Sequence, residues 1–198
     1  MTPATRLLRL VGSWIGVGIG VPLLIRAELG VAPFDVLNTG VSDVTGWSLG
    51  VCFVVDAAFF YGIGRLLGAR LGWASLVGTI VIGPLVNLFL RLIPQQHAMA
   101  PRLALYAAGI LIIAVAICMV VSTELGAGPS EVMMLGLITH GLGVVPARWI
   151  SDGTPLVIGA ALGGALGPGT LAFAVVMGPL VKFGLRTLHY EPAHRAPA

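Results

Sequence analysis

The chain carries one sequence pattern twice, and this repeat limits what it can fold into. The block ELGVAPFDV at residues 28–36 returns as ELGAGPSEV at residues 124–132, an offset of 96. The block GPLV at residues 83–86 returns unchanged at residues 178–181, an offset of 95. A repeat of this length in an apolar chain is typical of transporter-like membrane folds.

The similarity extends beyond these blocks. Residues 28–40 and 124–136 share 6 of 13 positions, and residues 64–91 and 159–186 share 13 of 28. Apolar sequences match each other easily, but the spaced Gly and Pro identities are not explained by composition. We call residues 6–92 the first copy and residues 102–187 the second copy, and two residues related by the offset are aligned partners.

Composition indicates an integral membrane protein. Hydrophobic residues make up 57% of the chain and charged residues 10%, with a mean hydropathy of +0.99. A soluble domain has about 25% charged residues. The net charge of +3 is small and scattered, which argues against nucleic-acid binding. Cys52 and Cys118 lie inside apolar runs and are interpreted as small buried hydrophobic residues.

Charged residues divide the chain into candidate membrane spans. Sixteen uncharged residues separate Arg9 from Arg26, 20 separate Arg70 from Arg91, and 21 separate Arg102 from Glu124. About 20 apolar residues cross a bilayer as a helix. The first run resembles a signal peptide, but it has no small-x-small cleavage site and it has a counterpart in the second copy. Three further helices are predicted over 49–64, 150–163 and from a turn near 166–169 to residue 181.

Two remaining segments, roughly 30–47 and 126–146, begin with Gly-x-x-Pro-x-acid. Proline followed by a carboxylate is a helix N-terminus signal. A dozen helical residues reach only ~18 Å, against ~30 Å of hydrocarbon. The sequence therefore predicts an all-α polytopic membrane helix bundle, a single domain over 1–198. It has six spans arranged as two inverted three-helix repeats, each with a short half-helix or re-entrant segment.

The distribution of positive charge predicts that both termini are cytoplasmic. In the six-span arrangement eight basic residues fall on one side and three, Arg26, Arg91 and Arg102, on the other. The eight are Arg6, Arg9, Arg65, Arg70, Arg148, Lys182, Arg186 and Arg195. Eight spans would give the same ratio, so charge alone leaves the number of spans open and length favours six.

Asp56 is a candidate functional residue because it lies in the middle of an apolar helix. A carboxylate there costs roughly 2.5–3.5 kcal/mol on insertion scales, so it needs a cavity, a partner or a proton. We interpret it as a proton-coupling or cation-binding group, and the alternative is a packing contact, to a hydroxyl or to Arg148. Its aligned partner is Ser151, next to Asp152.

Asp35 and Glu131 are candidates because the repeat aligns them, each two residues after a proline. Helix capping by a first-turn carboxylate is the alternative. In the functional interpretation, two half-helices meet with their N-termini facing a substrate site at mid-membrane. Free N-termini favour an anion and the carboxylates favour a cation or proton, so the preferred charge stays open.

Four more polar residues complete the candidate substrate and ion path. Asn38 lies one turn after Asp35, on the same side of its helix. Asn87 and Lys182 are aligned partners that directly follow the GPLV blocks, with helix–helix bonding and snorkelling to the interface as their alternatives. Asp152 keeps an acidic group in the second copy.

These blocks resemble the bacterial YczE-type integral membrane proteins, a group often linked with the YitT-type proteins. The resemblance rests on residues 28–50, 124–137 and 162–181 and covers about 6–190. In that group Leu-Gly-x-Gly-Pro-x-Asp and Gly-x-Gly-Thr-x-x-x-Ala recur in both halves. This chain departs from the pattern at Ala32 and at the Gly72–Ser75 block, and Asp152 stands for an acidic residue usual near the fifth helix. Members are mostly of unassigned activity and are suspected transporters.

The sequence predicts transport of an unidentified small solute by a secondary mechanism in the bacterial plasma membrane. No nucleophile–base pair, metal-ligand spacing or phosphate loop is present, so neither an enzyme nor a cofactor is predicted. The alternatives are a non-transporting accessory, assembly or regulatory protein and a substrate-capture subunit of an ATP-driven vitamin-type importer. The predicted partners are the lipid bilayer and the solute, with no nucleic acid and homo-oligomerisation left open.

Overall fold

The computed structural model describes residues 1–192, with only the backbone at Leu49 and Gly50. Within this range it contains helices and no strand, so the all-α prediction is confirmed. The eight helices are α1 (Pro3–Ala27), α2 (Pro33–Thr45), α3 (Leu49–Leu66), α4 (Trp73–Leu92), α5 (Met99–Thr123), α6 (Pro129–Thr139), α7 (Val144–Ala161) and α8 (Pro168–Thr187). Arg195, one of the basic residues counted for orientation, lies outside the described residues.

Four helices, α1, α4, α5 and α8, are long and apolar enough to cross a membrane by length and composition. Large apolar side chains cover much of their outer surface, among them Leu8, Leu111, Leu171 and Phe183. Water would penalise such exposure, whereas lipid does not. The bundle is therefore a membrane protein.

Helices α1 and α5 pack against each other in antiparallel orientation. Near the end of α1, Arg102 Nε from the start of α5 donates to Ala27 O at 2.7 Å. At the opposite ends, Arg9 Nη1 donates to Ser122 Oγ at 3.0 Å. A Cβ on Gly20 would lie 2.5 Å from Ile113 Cγ1, so this glycine permits the close approach of the two helices.

Helix α4 runs parallel to α1. A Cβ on Gly78, in the first half of α4, would lie 2.8 Å from Trp14 Nε1, close to the middle of α1. Near the ends of both helices, Arg26 Nη2 donates to Leu90 O.

Helix α8 runs parallel to α5 in the same way. Tyr106 Oη donates to Gly169 O near the two helix starts, and Cys118 Sγ approaches Val181 O at 3.5 Å near the two ends. The pairs α1–α4 and α5–α8 thus each join the first and the last helix of one sequence copy.

The loops that follow α1 and α5 bind to the last helix of the other copy. Leu29 O, after α1, accepts from Gly169 N of α8 at 2.7 Å. Leu125 O, after α5, accepts from Ala74 N of α4 at 3.2 Å. These bonds satisfy backbone N–H groups that a helix N-terminus leaves free.

Gly30 and Gly126, which directly follow Leu29 and Leu125, allow these bonds between the two copies. Gly30 has φ +139° and Gly126 has φ +158°. A Cβ on Gly30 would lie 2.6 Å from Thr170 N, and one on Gly126 would lie 2.4 Å from Ser75 N. Both the backbone conformation and the space therefore require glycine at each position.

The two short helices begin at Pro33 and Pro129, as predicted. Helix α2 packs on α7 and α6 packs on α3. A Cβ on Gly40 would lie 2.6 Å from Gly159 O, and a Cβ on Gly136 would lie 3.0 Å from Gly64 O. Each short helix therefore crosses a helix of the other sequence copy at backbone contact distance.

The predicted boundaries in the second copy were wrong in one place. The short helix α6 ends at Thr139 rather than near residue 146, and α7 begins at Val144 rather than Ile150. Gly141, with φ +91°, makes the turn between them. Pro146 falls in the first turn of α7, where a proline is tolerated because its missing N–H would have no partner there.

Candidate functional site: a buried ion cluster and an unpaired carboxylate

The early start of α7 places Arg148 inside the protein. Its side chain is 3% exposed. Its Nε donates to Asp152 Oδ2 at 2.7 Å, one turn later on α7. Its Nη1 donates to Glu131 Oε1 at the N-terminus of α6, and Ser130 Oγ donates to the same oxygen at 3.2 Å. We call Glu131, Arg148 and Asp152 the ion cluster.

The ion cluster holds one guanidinium between two carboxylates from different helices. Burying an ion is costly, and the cost is offset only when the partner charges and hydrogen bonds are in place. Charge-assisted bonds of this kind are the strong ones in a low-dielectric interior. The cluster therefore fixes α7 to α6.

Sequence reasoning did not name Arg148 as a site residue: it counted the residue among the basic groups of the cytoplasmic side and named it as an alternative partner of Asp56. The structure corrects this, because the residue lies in α7 and is buried. It also pairs with Glu131 and Asp152 rather than with Asp56. The available signal was the i,i+4 spacing of Arg148 and Asp152, which brings both side chains to one helix face.

The structure also explains why the two Pro-acid blocks differ before the proline. A Cβ on Gly128 would lie 2.2 Å from Glu131 Oε2, so the longer acid leaves no room for a side chain. In the first copy the residue before the proline is Ala32, and the acid after the proline is the shorter Asp35. The Glu131 carboxylate accepts from Arg148 and Ser130 side chains, not from the backbone N–H groups that helix capping would use.

Asp35 occupies the aligned position in α2 without an arginine. Its Oδ1 accepts from Asn38 Nδ2 at 3.5 Å, and no ion pair involves it within residues 1–192. The aligned partner of Arg148 is Phe53, an offset of 95. The ring of Phe53 packs on Phe34 with centroids 5.9 Å apart. An aromatic ring thus stands where the second copy has its guanidinium.

Asp56 is buried on the inner face of α3. The residue is 7% exposed, and its Oδ2 has no hydrogen-bond partner within the described chain. Asn38 is 5% exposed, and its Oδ1 also has no partner. An unsatisfied buried polar atom is costly, which makes both oxygens candidates for binding a donor.

Asn87 and Lys182 are not brought to these groups. Asn87 is exposed on α4 and Lys182 is exposed on α8. The structure places Asp35, Asn38 and Asp56 on the contacting helices α2 and α3, and Glu131 and Asp152 on the contacting helices α6 and α7.

The helix pairs α7–α8 and α3–α4 are arranged differently. Trp149 Nε1 of α7 donates to Val175 O of α8 at 3.1 Å. A Cβ on Gly178 of α8 would lie 3.1 Å from Trp149 Nε1, whereas a Cβ on its aligned partner Gly83 of α4 would meet no described atom within 4 Å. The first-copy helices therefore lie apart where the second-copy helices are packed.

The helices α3 and α4 meet near the turn that joins them. Tyr61 Oη hydrogen-bonds to Ser75 O and to Thr79 Oγ1, both at 3.0 Å. The helices are therefore held together near the turn and are not in contact at Gly83, farther along α4.

An apolar helical bundle with spanning helices and buried charges defines a polytopic membrane protein. The chain belongs to the family described as "Family of unknown function (DUF6198)", whose model matches residues 4–186. It is similar to the uncharacterized membrane protein YczE of Bacillus subtilis, 27% identical over 190 residues, 90% of this chain and 86% of that protein. It is also similar to an uncharacterized protein of Haemophilus influenzae, 28% identical over 177 residues, 88% of this chain and 81% of that protein. The resemblance to YczE-type proteins is confirmed. No solved structure matches the chain.

Proposed function

We propose that the protein is a secondary transporter of a small solute in the bacterial plasma membrane. In this proposal one domain crosses the bilayer six times as two inverted repeats, with both termini cytoplasmic. The short helices α2 and α6 enter the membrane without crossing it.

The helix directions support six spans. Helix α4 is parallel to α1, whereas eight complete crossings would make them antiparallel. With 13 and 11 residues, α2 and α6 reach only about 20 and 17 Å, less than the ~30 Å of hydrocarbon.

The antiparallel pairing of α1 with α5 supports inversion, because these two helices are aligned partners in the repeat. The exchanged loops support it further. Leu29 binds the start of α8 and Leu125 binds the start of α4 by the same type of bond. Two units related by a twofold axis in the membrane plane would show this reciprocity.

The observation that carries the transport proposal is the difference between the α7–α8 and α3–α4 pairs. One sequence pattern is seen in a packed and in a separated arrangement. Alternating access needs a unit with two such arrangements, which exchange between the repeats when access changes sides. A scaffold without transport would have no need for two arrangements of one helix pair.

Uptake into proteoliposomes tests this function. A metabolite library is first screened for compounds that raise the thermal stability of the purified protein, and each compound found is then tested for uptake. Wild type is expected to accumulate at least one compound, and Asp56→Asn is expected to lose uptake with normal expression. Asp43→Asn is the matched control, since Asp43 is an exposed acid on α2.

Two results would contradict the proposal. One is a stabilising compound that never enters the vesicles under any ion gradient. The other is uptake in which Asp56→Asn behaves like Asp43→Asn. The first result would instead favour an accessory or capture protein.

A further inference from the structure

The α2–α3 region of the first copy contains acceptor groups without donors. Asp56 Oδ2 and Asn38 Oδ1 are both buried and both lack a hydrogen-bond partner within residues 1–192. The only side-chain donor that Asp35 receives in that range is Asn38 Nδ2. That contact engages the amide nitrogen of Asn38 and leaves its oxygen free to accept.

The helix contacts place these acceptors on facing surfaces. The Phe34 ring packs on Phe53 and Phe60, with centroids 5.9 and 5.5 Å away. Helix α2 therefore meets α3 at the level of Asp56, which lies between the two rings on the same face of α3. Asn38 follows Phe34 by one helical turn, so it lies on the face of α2 that meets α3.

The second copy shows which ligand this arrangement accepts. There a guanidinium lies between a carboxylate of the short helix, Glu131, and a carboxylate of the following helix, Asp152. The first copy has Asp35 on its short helix and Asp56, one position before the partner of Asp152, on its following helix, and Phe53 replaces the arginine. Two acids are present, and within the described residues no basic side chain forms an ion pair with either of them.

The aromatic rings support the same ligand class. The ring of Phe34 makes edge contacts with Phe53 and with Phe60, which precede and follow Asp56 on one face of α3. Aromatic faces attract cations, most strongly when water is excluded. An organic cation uses both the rings, through its charge and its apolar part, and the carboxylates.

We propose that Asp35, Asn38 and Asp56 form a binding site for an organic cation with a guanidinium or primary ammonium group. This inference rests on the proposed transport function and names its substrate class. The ligand's N–H groups donate to Asp56 Oδ2 and Asn38 Oδ1, and its alkyl part lies against the phenylalanine rings.

Thermal unfolding of the purified protein in detergent tests the site. The probes are agmatine and butylammonium, with neutral butyramide and sodium chloride as controls at equal ionic strength. Saturating agmatine or butylammonium is expected to raise the midpoint of wild type and of Asp43→Asn by about 5 °C. Asp56→Asn is expected to lose the rise, and butyramide and sodium are expected to give none.

A second variant tests the site even if Asp56→Asn fails to fold. Phe53→Arg places the second copy's arginine in the first copy. It is expected to fold, to be stabilised by its own carboxylate partners and to lose the response to agmatine. A Phe53→Arg protein that folds and still responds to agmatine like wild type would overturn the site.

Three other outcomes decide whether the cation site and the transport function stand. A rise with sodium as large as the rise with agmatine would overturn the organic-cation assignment. Binding needs no gradient, so agmatine binding without uptake would leave the site standing and contradict transport. Uptake of a neutral or anionic solute without agmatine binding would support transport and overturn the site.

Discussion

The two short helices carry aligned acids in opposite electrostatic states. Glu131 on α6 is neutralised by Arg148, which Asp152 also holds. Asp35 on α2 has only the amide of Asn38, and nearby Asp56 has an oxygen with no partner in the described chain. Each acid of the second copy's ion cluster has a basic partner, whereas Asp35 and Asp56 of the first copy have none among the described residues.

The helix packing of the two copies differs as well. Helices α7 and α8 are joined by Trp149, whereas α3 and α4 diverge beyond Tyr61. The copy with the satisfied charges has the packed helix pair, and the copy with unsatisfied acceptors has the separated pair.

The largest expected effect is on the ion cluster. Arg148→Met leaves Glu131 and Asp152 buried without a cation, and we expect a loss of about 3–5 kcal/mol in the free energy of unfolding. Denaturant unfolding of the purified protein measures it. Arg65→Met, at an exposed position of α3, is the control and should change little. Equal stability of the two variants would contradict a structural role for the cluster.

The next effect tests why only one copy has glycine before the proline. Gly128→Ala forces a Cβ against Glu131 Oε2, and a loss of about 1–3 kcal/mol is expected. Ala32→Gly makes the reverse change in the first copy and should cost less than 1 kcal/mol, roughly the entropy of one glycine. The thermal midpoints of the two variants compare them, and an equal loss would show that Glu131 does not set the requirement.

A smaller effect on the free energy of unfolding is expected at the aligned hydroxyl residues Ser75 and Thr170. Ser75 Oγ accepts from Ala127 N at 2.9 Å, so Ser75→Ala leaves a buried N–H without a partner and should cost about 1–3 kcal/mol. Thr170 Oγ1 is buried and has no partner among the described residues, so Thr170→Val should be nearly neutral. Unfolding of the two variants side by side measures the difference, and a costlier Thr170→Val would reverse this comparison.

The helices and the two Pro-acid starts could be predicted from sequence because they depend on local signals. Apolar run length identifies the four spanning candidates, and proline identifies the first residues of α2 and α6. The spaced glycines of the repeat are also explained, since Gly30 and Gly126 each lie against the start of a helix from the other copy.

The charge pairing could not be predicted in the same way. Whether Arg148 faces a loop or the interior depends on α7 starting at residue 144 and on where α6 packs, which are tertiary facts. Asp35 and Glu131 look alike in the alignment, and only the arginine from another helix separates them. Asn87 and Lys182 show the converse, because these aligned residues, one inside a predicted span and the other directly after one, both lie on exposed surfaces.

The central claim is that the α3–α4 and α7–α8 pairs are two states of one moving unit. Pulsed electron paramagnetic resonance tests it with spin labels at Val55 and Ile80, and separately at their aligned partners Ile150 and Val175, all exposed. The buried Cys52 and Cys118 are replaced by serine. We predict two distance populations in each pair, with agmatine shifting the two pairs in opposite directions. A single unchanging distance in each pair, long in the first copy and short in the second, would contradict the account.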